Sequence, residues 1–200
     1  MHKGFTLIEV MISVMIFSIV MTVALGALLA MSASDQRAEA LKTVVNNLNF
    51  ALDSMTRTIR TGYSYHCGTS GTDFATPAPQ DCAAAGGAQS YLALRAADSS
   101  LVAYCLNQSA LVREVVKSGN SLSTNCAASD FYPLTSSEIK ITNLQFIVAG
   151  SCAKSGAGGC TGDSVQPKVT VLISGTFYVS PTQTSQFNLE TSVTQRVYDQ

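Results

Sequence analysis

From Phe5 to Met31 the chain is apolar almost throughout, FTLIEVMISVMIFSIVMTVALGALLAM, with Glu9 as the one ionisable side chain in the run. About 20 apolar residues suffice to cross a bilayer as a helix, so the segment is long enough to span one. Gly26 loosens the helix locally, a cost of about 1 kcal/mol relative to alanine. Beyond the span no Pro or Gly occurs until Gly62, which predicts one continuous helix. Leu41, Val44, Val45, Leu48, Leu52, Met55 and Ile59 recur at helical spacing and form one face, with Lys42, Asn46, Asn49, Asp53 and Arg57 elsewhere. At 1.5 Å per residue, a helix from Phe5 to about Arg60 would be roughly 80 Å long, one half spanning and the other packing on a sheet.

The pattern then changes. Tyr63 to Ser90 is rich in Gly, Ser, Thr, Ala and Pro, and reads as a long loop. Strand-like runs follow at Tyr91–Ala97, Leu101–Leu106, Leu111–Lys117, Ile139–Val148, Val169–Val179 and Phe187–Val197. Asn107-Gln108-Ser109-Ala110 suits a hairpin between the second and third. In the last run Phe187, Leu189, Thr191, Val193, Gln195 and Val197 share one face, as expected of an antiparallel sheet covered on one side by the helix. The predicted fold class is α+β, a long N-terminal helix on a C-terminal antiparallel sheet with disulfide-stapled loops.

Glu9 changes the picture of the apolar run. A charge near the centre of a bilayer costs about 2.5–3.5 kcal/mol on insertion scales, so such an acid calls for a partner or a function. Snorkelling of Glu9 to the nearby interface is the plainer account. A removable secretory signal ending near Met31-Ser32-Ala33 is a further alternative, but signal cores run only about 7–15 residues and need no acid. Lys3 precedes the span and Asp35 follows it, which orients the N-terminus to the cytoplasm and the remainder outward. The formal net charge is −1, and no basic cluster offers a footprint for nucleic acid.

The six cysteines, Cys67, Cys82, Cys105, Cys126, Cys152 and Cys160, all lie beyond the span. An even count outside the cytoplasm reads as disulfides. Six cysteines allow 15 pairings; proximity in sequence favours Cys67 with Cys82, Cys105 with Cys126, and Cys152 with Cys160 across the Gly-rich Ser151–Thr161 loop. Zinc is disfavoured because no close Cys-x-x-Cys pair exists and His66 is the only histidine beyond the span. Asp73 and Asp81 lack the regular acidic spacing of a calcium loop, so no metal and no cofactor is expected. His66 beside Cys67 does not make a nucleophile and base, because adjacent residues on an extended segment point apart. Gly156, Gly158 and Gly159 do not follow a strand and open a helix as a phosphate loop does. No catalytic residues are expected and the chain does not read as an enzyme.

Gly4-Phe5-Thr6-Leu7-Ile8-Glu9 strongly resembles the processing motif of type IV pilins and of the pseudopilins of type II secretion. The resemblance implies a leader at residues 1–4, cut by a prepilin peptidase between Gly4 and Phe5, and N-methylation of Phe5 by the same enzyme. A glycine before the scissile bond suits close approach of a protease to the backbone. Removing the leader takes Lys3 with it and leaves a charge of about −2. The resemblance also supplies a partner for Glu9, the amino terminus of a neighbouring subunit, since a carboxylate beside a cation recovers part of its desolvation penalty. It further implies a transmembrane and assembly helix at 5–31, an amphipathic extension at 32–62 and a β-rich outer domain at 63–200. Tyr104-Cys105-Leu106 with Leu111-Val112-Arg113, and Phe187 to Arg196, are similar to the J-type minor pseudopilins and the corresponding minor pilins. Unlike major pilins, the membrane helix has no proline. The implied role is a minor pilin or pseudopilin in filament assembly, priming or the tip. Its implied partners are the peptidase, other major and minor pilins or pseudopilins, the inner-membrane assembly platform and lipid. The contrasting reading is a membrane-tethered extracytoplasmic binding domain or enzyme that keeps its anchor.

Overall fold

A computed structural model describes residues 4–68, 78–82, 87–123, 125–152, 165–180 and 183–196. Among the described residues one helix, α1 (Leu7–Thr61), precedes eight strands: β1 (Tyr63–Gly68), β2 (Tyr91–Arg95), β3 (Leu101–Asn107), β4 (Ala110–Val116), β5 (Tyr132–Pro133), β6 (Ile139–Ala149), β7 (Lys168–Ser180) and β8 (Gln183–Thr194). The chain divides into two compact units, Met1–Lys42 and Thr43–Gln200. The first is treated with the candidate site.

In the second unit, α1 buries Val44, Leu48, Ala51, Met55 and Ile59, a face repeating every three or four residues. That face packs on the sheets, and polar contacts fix it there. Asn47 Oδ1 accepts from Ser136 N at 3.1 Å, and Arg60 O accepts from Arg196 N at 2.8 Å. The last carbonyls of a helix lack partners within it; here the buried Tyr65 hydroxyl lies 2.7 Å from Ile59 O and 2.8 Å from Gly62 O, sharing its proton between them. The buried face is narrower than the sequence stripe. Leu41 and Val45 are exposed, and Ala51 takes a core position that a search for large apolar residues overlooks.

The strands are antiparallel but form two sheets rather than one, β1-β2-β3-β4-β5 and β6-β7-β8. The predicted hairpin joins β3 and β4, with Tyr104 opposite Arg113 and Cys105 opposite Val112. The expected loop from Tyr63 is corrected over its first residues, which form β1 and pair with β2. Tyr63-Ser-Tyr-His-Cys-Gly has no aliphatic run, so its strand character comes from that pairing. β8 begins at Gln183, ahead of the predicted Phe187.

Two disulfides staple the connections: Cys67–Cys82, with Cα atoms 5.0 Å apart, and Cys105–Cys126, at 6.2 Å. Cys152 is also disulfide-bonded; its expected partner Cys160 lies outside the described residues. Segment 78–82 ties the sheets together. Cys67 N donates to Gln80 O, Gln80 N donates to Tyr65 O, and Cys82 N donates to Val148 O of β6. The loop after β4 is held by Glu114, only 2% exposed, whose carboxylate accepts from Ser123 N at 2.9 Å and Ser123 Oγ at 2.8 Å. Burial, and then the charge of Glu114, push the Tyr91 phenol above the ordinary tyrosine range.

Gly175, in the middle of β7, lies opposite Phe187 of β8. A Cβ there would sit 2.8 Å and 2.9 Å from Cζ and Cε1 of the Phe187 ring and would press on Lys140 O of β6. Gly175→Ala is expected to lower stability by about 1–3 kcal/mol through overpacking. Thermal unfolding checks this, and an unchanged midpoint would mean that the three strands part easily enough to admit a methyl group.

Candidate functional site: the N-terminal segment

The first unit contains the motif residues and the apolar run. Thr6 stands immediately before α1, and its carbonyl accepts from Glu9 N at 3.1 Å and Val10 N at 3.3 Å, which opens the helix. Thr6 and Glu9 also have the Thr-x-x-Glu spacing of a capping box, a start signal that the apolar pattern alone conceals. Glu9 lies in the first turn, where the helix dipole favours a negative charge. Its side chain is exposed.

Gly4 and Phe5 precede the helix in open surroundings. Nothing lies within 4 Å of a Cβ built on Gly4, and Phe5 is 81% exposed. The peptide bond between them is therefore accessible on this chain. The helix that follows is long and apolar enough to cross a membrane, and none of its most apolar window is buried within the chain. Three hydroxyl groups in its apolar stretch are satisfied locally: Ser13 Oγ donates to Glu9 O at 2.7 Å, Ser18 Oγ to Val14 O at 2.8 Å, and Thr22 Oγ1 to Ser18 O at 2.8 Å. Glu9 is the one ionisable side chain of the run.

The other residues weighed in the sequence take structural positions. His66 is buried, with Nδ1 2.6 Å from Ala78 O, and Cys67 is in its disulfide, so the two form no nucleophile–base pair. Asp81 accepts from Gly150 N at 3.0 Å and Ser151 N at 2.7 Å, which occupies its oxygens on the β6 turn. Asp73 and the Gly156–Gly159 run lie outside the described residues. Among the described residues no cluster of His, Cys, Asp or Glu could hold a metal ion.

Residues 1–25 match the family described as the prokaryotic N-terminal methylation motif. The match covers the N-terminal segment alone and makes that segment similar to those of type IV pilin-like proteins, a structural rather than catalytic family; the exposed apolar helix is long enough to serve as a membrane anchor. The motif implies processing by a prepilin peptidase and assembly with other pilins. No curated protein and no solved structure matches the chain.

Proposed function

We propose that the chain is a minor pilin or pseudopilin, a structural subunit of a type IV pilus or type II secretion pseudopilus that acts in assembly, priming or at the tip. It is made with residues 1–4 as a cytoplasmic leader and inserted with its C-terminus outward. It is then cut between Gly4 and Phe5 and methylated on the Phe5 amine. Glu9 pairs with that amine on a neighbouring subunit. The carrying observation is the exposed carboxylate of Glu9, in the first turn of the helix, in a sequence that matches the methylation motif. Lipid offers such a charge no partner, whereas a packed assembly of processed subunits does.

The mature N-terminus tests this reading. Mass spectrometry of the protein from its native membrane is expected to find N-methylated Phe5. An intact Met1 would favour a tethered binding domain or enzyme, and a start near Ser34 a secreted form.

A further inference from the structure

Sheet edges expose unpaired backbone groups that invite another strand, and folded proteins cover or blunt them. Two sheets have four edges, and among the described residues three are managed. At β1, Tyr65 O and Cys67 N bond to Gln80. Beside β4, β5 has only two residues and includes Pro133, while Leu111 is bonded through both O and N to Leu134 N and Thr135 Oγ1. Along β6, Phe146 exchanges two bonds with Gln89, Val148 O accepts from Cys82 N, and Ile141 N donates to Ser109 O.

β8 differs. It has 12 residues, pairs with β7 on one side, and bonds to no strand on its other side among the described residues. It contains no proline and no lysine, and its one charge is Glu190. Its register with β7 is unbroken from Thr184 to Thr194. The usual guards of an edge are missing.

The direction of its backbone groups follows from one printed bond. Gln195 N donates to Pro167 O, so that pair is a hydrogen-bonded one, and bonded and non-bonded pairs alternate along an antiparallel ladder. Thr184, Gln186, Asn188, Glu190, Ser192 and Thr194 therefore turn their N–H and C=O away from β7. The close Thr170–Ser192 hydroxyl pair, at 2.8 Å, fits this phase, since side chains approach most nearly at non-bonded pairs.

We propose that the open edge of β8 is a strand-addition site for an extended segment of a different protein, with a lysine or arginine opposite Glu190. Its apolar side chains would lie beside Phe187 and Leu189. Leu189 is on the inward side of the sheet yet is 37% exposed, leaving apolar surface for the added strand to cover. A second copy fits less well. Full antiparallel overlap of two β8 edges sets Glu190 opposite Asn188 and diagonal to the other Glu190, and parallel in-register pairing sets like charges side by side. The proposal does not depend on N-terminal processing.

Residue-resolved amide exchange on the full chain tests it in native membranes, in detergent, and in the membrane of a host that makes this chain alone. In native membranes the six outward amides are expected to exchange at least tenfold more slowly than in the other two states, with the odd-numbered amides unchanged. Equal exchange in native membranes and detergent would overturn the proposal. So would slowing in the host that makes this chain alone, which would identify a second copy. Asn188→Pro removes one outward N–H and should restore fast exchange at Gln186 and Glu190. Should that variant lose protection at the odd-numbered amides, Ser192→Lys, placing a cation beside the partner's, is the deciding variant with the same expectation. Protection that persists in the folded variant overturns the site. Methyl-Phe5 with an unprotected β8 removes this inference alone, whereas a protected β8 with an intact Met1 removes the pilin reading alone.

Discussion

Glu9→Val is expected to reduce incorporation of the subunit into filaments by about 100-fold or more while leaving its membrane insertion intact. Valine suits lipid at least as well as glutamate, so the anchor is not weakened. In the assembly, however, the Phe5 amine of the neighbour would lose its partner, and an uncompensated buried charge costs about 3–5 kcal/mol. The measurement is the ratio of subunit in isolated filaments to subunit in membranes. Normal incorporation of the valine variant would remove the pairing hypothesis, and loss from both fractions would point to insertion instead. The same logic makes cleavage a precondition, because before it Phe5 has an amide and no amine.

Loss of the Cys67–Cys82 bridge should have the largest effect within the outer unit. The cysteines are 15 residues apart and buried, so replacing both by alanine frees a closed loop whose constraint is worth about 3 kcal/mol. For a chain of this size that corresponds to a fall of roughly 6–12 °C in the unfolding midpoint. The bridge also places Cys82, whose backbone and sulfur both meet Val148 of β6, so its removal should loosen the join between the sheets. Thermal unfolding of the detergent-solubilised chain reads this effect. A midpoint unchanged within a degree or two would show that the backbone bonds of residues 78–82 hold the join without it.

The helix and most of the strands were legible because each rests on local periodicity. Val44, Leu48, Met55 and Ile59 repeat as a helix face must, and the inward residues of β7 alternate through Val169, Val171 and Ile173. What periodicity cannot convey is pairing. Nothing in the sequence separates β1 to β5 from β6 to β8, because that division depends on contacts between residues far apart. β1 was hidden for the same reason, and Ala51 because its core position owes little to its own bulk. The N-terminal motif was legible for the opposite reason: its glycine, phenylalanine and acid follow one another along the chain. The open edge of β8 was not, since an edge exists only once every other strand has been placed.

Three hydroxyls of the apolar run, those of Ser13, Ser18 and Thr22, bonded back to carbonyls four residues earlier, bear on how such a segment changes surroundings. They make these three groups indifferent to their medium: hydrocarbon and protein interior find the same hydroxyls already bonded. The one ionisable side chain of the run, Glu9, is left as the group that tells the two apart. On the proposed pairing, a segment so arranged is stored in lipid and drawn into an assembly by what Glu9 meets there.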